Sequence, residues 1–434
     1  MTHRAPASRT LKLDALARVE GEGAMYVEIR DGALVDVQLQ IYEPPRFFEA
    51  FLRGRRYTEP PDITARICGI CPVAYQMSAC LAIEAACGVT VDGPLRDLRR
   101  ILYCGEWIES HTLHIYMLHA PDFLGYAGAV EMAADHRSLV QDGLDLKRVG
   151  NEVLETLGGR AIHPVNVRVG GFYRVPTKRE LQPLRDKLLR ARETAVATVR
   201  WVGDFDVPDL EHHHELVALW RPDEYAVLGG RIRSSAGLDI APEEFADHVV
   251  ESHVARSNAL HAHLLERGGY LVGPQARFAL NFEQLSRGAR EAAAAVDLGP
   301  DCRNPFRSIV MRAVEVLHAC DEAIALIESY EPPDRPAVPV EPTAAVGHGV
   351  TEAPRGLLYN RYSLDLDGLI TDAVIVPPTS QNQPSIEHDL FHFVEKNLDL
   401  SDDDLRHRCE QVIRNHDPCI SCATHFLDLT VDRR

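Results

Sequence analysis

Arg66-Ile67-Cys68-Gly69-Ile70-Cys71-Pro72 and Asp417-Pro418-Cys419-Ile420-Ser421-Cys422-Ala423-Thr424-His425 stand near opposite ends of the chain, and each holds a Cys-x-x-Cys pair. Two residues between cysteines let both sulfurs turn toward one ion, and proline after the first pair suits the opening position of a helix. One such pair is weak evidence for a metal. Two can complete a four-thiolate site, but their separation far exceeds that of a zinc ribbon or a rubredoxin-like knuckle. Such a site must join the two ends around a large folded body. On spacing alone a structural zinc stays open, whereas a thioredoxin-like redox pair is disfavoured because neither motif lies in a βαβ context. Cys80, Cys87, Cys104, Cys302, Cys320 and Cys409 occur singly and read as inert, largely buried thiols.

Outward from the first pair, the chain before it carries a strand signal. Met25, Val27 and Ile29 alternate with polar residues, Asp31-Gly32 supplies a turn, and Val35, Val37, Leu39 and Ile41 resume the alternation, which predicts a hairpin. From about residue 72 to 330 the period becomes helical. A capping box, Thr177 to Glu180, opens one helix with Leu184, Leu188, Ala191, Ala195 and Val202 on one face. Val310, Val314, Leu317, Ile324 and Ile327 mark another. Amphipathic helices of this length must bury their faces on one another, so the middle of the chain predicts a helical bundle. Proline-rich Glu331 to Pro342 reads as an extended connection, followed by strands at Leu357 to Tyr362 and Leu369 to Val376 around the turn Asp367-Gly368. The fold class expected is α+β, mainly α: a central long-helix bundle with small β elements toward both termini.

The 434 residues are 45% hydrophobic and 25% charged, which is ordinary globular material with length enough for a buried core. A net charge of −18 without a basic tract excludes nucleic acid and anionic lipid as natural partners. No apolar stretch reaches the roughly 20 residues of a membrane span, and Met1 to Leu16 lacks a signal-peptide core, so a cytoplasmic protein is expected.

The paired motifs resemble the two signatures of the nickel-iron hydrogenase large subunit. Similarity continues in order between them: Arg18-Val19-Glu20-Gly21, Arg46-Phe47-Phe48-Glu49 with Gly54-Arg55, Ser110-His111 with His114, Pro121-Asp122, Gly158-Gly159-Arg160 with His163-Pro164, Gly170-Gly171, and Glu352-Ala353-Pro354-Arg355-Gly356. The resemblance covers nearly the whole chain. It implies a fold shared with the quinone-site subunit of respiratory complex I, a relative that generally lacks the four cysteines. Among hydrogenases, Glu43-Pro44-Pro45-Arg46-Phe47-Phe48-Glu49 and the C-terminal motif look most like the cytoplasmic, bidirectional, NADP-linked class called sulfhydrogenases, with NAD-linked and deazaflavin-linked enzymes as alternatives. A hydrogen sensor is a second alternative, which the short tail after His425 argues against.

The resemblance implies nickel on four thiolates and iron, bearing carbonyl and cyanide ligands, on two of them. Cys68 and Cys419 are then terminal nickel ligands, and Cys71 and Cys422 bridge nickel and iron. Cys419 is the expected base in an uneven cleavage of hydrogen, and Glu20 the gate carboxylate that relays its proton. Arg355 is expected over the iron ligands as a fixed cation, with Asp122 and Asp417 orienting it or nearby waters. Glu49 and His425 match ligands of a second metal, Mg2+ or Fe2+; His111, His114 and His163 match positions lining the site or its proton paths. Two residues depart from the pattern: Tyr75 and Glu22 stand where the family usually has histidine. The run Glu211-His212-His213-His214-Glu215 has no family counterpart and reads as a solvated helix face. No Gly-rich nucleotide loop or further cysteine cluster is present, so electrons must pass to partners: an iron-sulfur small subunit, then a flavin- and NADP-binding module. One catalytic domain, 1–425, is expected, with a tail, 426–434, removed by a maturation endopeptidase.

Overall fold

The computed structural model describes residues 8–424, so His425 and the tail fall outside it. Helices Pro94–Leu113, Arg137–Gly158, Lys178–Gly203 and Ser308–Ser329 pack on one another as the central bundle. The last of these lies innermost, with every residue from Ser308 to Cys320 buried. Thr177 caps its helix as the sequence predicts: its hydroxyl accepts from Glu180 N while Glu180 Oε2 accepts from Thr177 N at 2.7 Å. Leu184, Leu188, Ala191, Ala195 and Val202 then form the buried face.

Strands Arg9–Leu13, Gly23–Arg30 and Ala33–Ile41 make an antiparallel sheet in that order. Met25 faces Leu39 and Val27 faces Val37, with one register irregularity between Glu28 and Ile29. Both turn residues, Asp31 (φ 51°) and Gly32 (φ 77°), take the positive φ a two-residue hairpin turn demands. The apolar side of the sheet packs on helices Pro378–Lys396 and Asp402–Asn415 through Ile386, Leu390, Leu405 and Val412.

A second antiparallel sheet, Val346–Ala353, Gly356–Leu364 and Ile370–Val376, lies against helix Pro72–Ala86, the helix opened by the first cysteine pair. The approach is so close that a Cβ at Gly349 would stand 2.2 Å from the Ser78 carbonyl oxygen, and one at Gly347 1.9 Å from that of Ala82. Glycine there lets the sheet carry Arg355, at its first turn, toward the cysteines.

The sequence-based helical stretch fails over 204–272. That region instead holds strands Glu215–Trp220, Arg231–Ser234, Asp239–Ile240 and Tyr270–Leu271 in one sheet, and the pair Val249–Ser252 and His261–Leu264 in another. Pro208, Pro222 and Gly229-Gly230 interrupt any helical period there. The run 211–215 is likewise not helical but irregular, leading into the strand that starts at Glu215, and His212 and His214 are buried.

Candidate metal centre

Three local devices bring the four sulfurs together. Ile70 N and Cys71 N both point at Cys68 Sγ, at 3.3 Å each, which curls the first motif into a knuckle. Its following helix begins at Pro72, and Glu106 from the bundle caps it by accepting from Val73 N (2.6 Å) and Ala74 N (3.1 Å). Arg46 then ties the two motifs, donating to the carbonyl oxygens of Ile67 and Ser421, while its own amide donates to Thr424 O at 2.7 Å. The C-terminal motif pairs with the N-terminal segment through Ile420 N to Glu20 O, 2.9 Å. Cys68, Cys71, Cys419 and Cys422 are all buried, with sulfurs within 4.8 Å of one another. The Cys68–Cys419 and Cys71–Cys422 pairs stand at 3.4 and 3.7 Å, and Cys419–Cys422 at 2.8 Å.

Around this cluster the charges are arranged asymmetrically. Cys419 Sγ lies 3.1 Å from Glu20 Oε2, which also accepts from Ser421 N at 3.0 Å. Burial, and then the charge on Cys68, raise the Glu20 carboxyl above its ordinary pKa. Arg355 donates to Asp417 O (2.8 Å) and Asp417 Oδ1 (3.2 Å); burial opposes its charge, but Asp417 and the thiols hold it firmly protonated. Asp122 is elsewhere engaged. It binds Arg414 through two bonds, 2.7 and 3.0 Å, and Arg18, two residues before Glu20, so it braces the segment that carries Glu20 and does not touch Arg355. Arg18, Phe47, His163 and Asp417 all take positive φ without being glycine, a strained conformation concentrated beside the site.

The donor set fits nickel and iron: soft sulfurs from two knuckles, close enough to share ions, beside a fixed cation. Tyr75, one turn into the helix after Cys71, directs its hydroxyl at the cluster, toward Cys422, and Asp417 Oδ2 has no hydrogen-bond partner. Burial, with the neighbouring Cys422 and Cys71 charges, pushes the Tyr75 pKa well up. Among the four thiols, hydrogen bonds from Cys419, Cys422 and Cys71 lower the pKa of Cys68, while burial raises those of Cys419 and Cys422.

Glu49 lies apart, its Oε1 accepting from Ile375 N at 2.7 Å, and burial lifts its pKa to about 7. Glu251, unread in the sequence, is beside it: burial and then the Glu49 charge raise it to about 8, and its Oε1 has no partner. Two half-buried carboxyls, one with an orphaned oxygen, fit a hard divalent cation. His111 and His114 are held neutral chiefly by burial, His111 falling to about 4, and His114 Nε2 bonds Arg414 O at 2.8 Å. His163 Nδ1 bonds Ala65 O at 2.7 Å, and Glu22 sits on the exposed side, its amide donating to Glu43.

Sequence reasoning missed Arg277. Its guanidinium, stacked over Trp107, donates to Glu315 twice at 2.8 Å, to Glu352, and to the carbonyls of Ala353 and Pro354 at 2.9 Å. It therefore fixes the turn that presents Arg355. Nothing in its local sequence, Pro-Gln-Ala-Arg-Phe, signals this; the partners arrive from two distant elements.

A large folded body whose two ends close a four-thiol site under an arginine is the architecture of a nickel-dependent hydrogenase large subunit. Residues 46–143 match the family profile for nickel-dependent hydrogenase. The alpha chain of sulfhydrogenase 1 from Pyrococcus furiosus is 33% identical over 96% of this chain and 98% of its own. The alpha chain of sulfhydrogenase 2 from the same organism is 32% identical over 96% of this chain and all of its own. A crystal structure of an NAD+-reducing [NiFe]-hydrogenase in the H2-reduced state superposes with a TM-score of 0.86 at 28% identity, covering 97% of this chain and all of that one. The chain belongs to the nickel-dependent hydrogenase family, as its large, catalytic component. No helix among the described residues is long and apolar enough to cross a membrane.

Proposed function

We propose that this subunit cleaves hydrogen reversibly and heterolytically and serves a cytoplasmic, NADP-linked complex. The observation that carries the reading is the cluster of four buried sulfurs with one of them, Cys419, against a carboxylate of raised proton affinity. Cys68 and Cys419 would hold nickel, and Cys71 and Cys422 would hold nickel together with an iron that carries carbonyl and cyanide. When bound, that centre supplies the two-electron chemistry of the H–H bond. The chain's own residues handle the proton: Cys419 Sγ takes it, and Glu20 Oε2 receives it at 3.1 Å and passes it outward. Arg355, held by Asp417, provides fixed positive charge at the cluster. Asp122 keeps Arg18, and so Glu20, in place.

Glu49 with His425 is assigned to a second metal, Mg2+ or Fe2+, and Glu251 offers a further oxygen donor there. Electrons leave to an iron-sulfur small subunit, then to a flavin- and NADP-binding module, consistent with the likeness to a sulfhydrogenase alpha chain and to an NAD+-reducing enzyme. The test is metal analysis and infrared spectroscopy of the purified complex, with hydrogen-dependent reduction of NADP+ and NAD+ measured side by side. We expect about one nickel per large subunit, carbonyl and cyanide bands, and faster NADP+ reduction. Stoichiometric zinc without those bands would overturn the metal assignment, and a preference for NAD+ the acceptor.

A further inference from the structure

The run Glu211–Glu215 delivers two buried histidines to a second constellation, remote in composition from the four cysteines. His214 Nε2 lies 2.7 Å from Asp389 Oδ1, and His388 Nδ1 is 3.8 Å from the same oxygen. One ligand atom from each of the three side chains falls within a sphere of mutual distances no greater than 4.8 Å. Ligand atoms on a tetrahedral ion with bonds near 2.0–2.1 Å stand about 3.3 Å apart, so small side-chain adjustments bring all three onto one ion.

The surroundings are those of a built site. Asp389 is held from behind, its Oδ2 bonded to His416 Nε2 at 3.0 Å, which fixes the carboxylate plane in the way outer-shell partners orient metal ligands. His212 stacks on His214, with ring centroids 4.5 Å apart, and its own Nε2 is anchored by Gln275 Oε1 at 2.9 Å. On the solvent side, His392 follows His388 by one turn of the Pro378–Lys396 helix, and their Nε2 atoms meet at 3.0 Å. Asp389 and His214 are buried while His388 is half exposed, at the floor of an open cleft of about 710 Å3 that an ion can enter.

The geometry points to a further metal site in this chain, distinct from both the four-cysteine centre and the Glu49 site: His214–His388–Asp389, for a divalent first-row transition ion of the zinc class, with an open fourth position facing the cleft. Two imidazoles and one carboxylate with a vacant position suit such an ion and not magnesium or calcium, which prefer oxygen donors. His392 lies close enough to approach that open position.

The experiment uses the assembled complex with nickel already installed, so that the four thiolates are occupied. After treatment with a chelator it is titrated with Zn2+ and, separately, Co2+, and bound metal is counted by mass spectrometry. We expect one additional ion per large subunit, and for Co2+ visible d–d bands of a nitrogen and oxygen environment without thiolate-to-cobalt charge transfer. His388→Ala, which changes a half-exposed side chain, should weaken binding at least tenfold, as should Asp389→Asn. Absence of stoichiometric binding, or binding unchanged in His388→Ala, overturns the site. So does binding that is lost in His392→Ala and untouched by Asp389→Asn, because that describes a surface histidine pair only.

Discussion

At the scale of single residues, Glu20 and Glu352 show how burial assigns work to carboxyl groups. Glu20→Gln keeps size and hydrogen bonding to Ser421 N but cannot take the Cys419 proton. We expect metal content to be retained while hydrogen–deuterium exchange falls by about 10²- to 10⁴-fold, the usual size of a positioned acid–base contribution. An unchanged exchange rate removes Glu20 from the proton path. Cys419→Ser and Cys71→Ser should abolish hydrogen-dependent activity, and full activity in either would break the ligand assignment. Glu352 shares Arg277 with Glu315, and one arginine needs only one anion. Burial, opposed by Arg277, raises Glu352 to about 7, whereas for Glu315 the arginine outweighs burial and lowers it to about 2. Since the folded pKa of Glu352 is raised, its contribution to stability is complete below about pH 4.5 and is lost as pH rises through about 7. The loss amounts to as much as about 3 kcal/mol. Glu352→Gln should therefore gain stability relative to the parent between pH 5 and pH 8.5 in denaturant unfolding; a constant difference across that range contradicts the assignment.

Elements were legible in the sequence wherever local chemistry decided them. The Asp31-Gly32 hairpin, the Thr177 capping box and the Ser308–Ser329 helix all rest on spacing within one segment, and all form. The irregular course of Glu211–Glu215 was not legible, because its histidines are drawn inward by Asp389 and Gln275 from elsewhere in the chain, and local pattern carries no trace of that. Glu106 and Arg277 escaped for the same reason: each acts on an element far away in sequence. Among the site residues, the cysteines, Glu20, Arg355 and Asp417 were readable by resemblance and do converge, while Asp122 turned out to serve Arg18 and Arg414. The contact between helix 72–86 and its covering sheet gives a test at this scale. Gly349→Ala puts a methyl 2.2 Å from Ser78 O and 2.5 Å from Ala82 N, backbone atoms that cannot rotate away. Overpacking of this kind costs about 3 kcal/mol. We expect a lowered Tm together with reduced nickel occupancy, since the helix that must yield begins directly after Cys71; a variant with the parent's Tm and nickel content refutes the packing argument.

The whole molecule closes its site by bringing both ends of the chain into one interior, and that sets a condition on maturation. Cys419 and Cys422 are buried, and Thr424, where the described residues stop, is fully buried with its carbonyl bonded to Arg46 N. Phe426-Leu427-Asp428-Leu429-Thr430-Val431-Asp432-Arg433-Arg434 carries two aspartates and two arginines, which resist burial unless each finds a partner. If His425 also binds the second metal beside Glu49, its surroundings must be closed as well. On this reading the tail's charges oppose closure of the second cysteine pair over the first until nickel has been received. Cutting after His425 would remove those charges and leave Arg46 holding the Ser421 and Thr424 carbonyls over the closed site. The opposing arrangement is a tail that stays, with Leu427, Leu429 and Val431 alternating as a terminal strand on a sheet edge. Intact mass spectrometry of active, nickel-containing complex separates the two. We expect a large subunit ending at His425; a mass that includes Arg434 in active protein would show that the site closes with the tail in place and that no endopeptidase is needed.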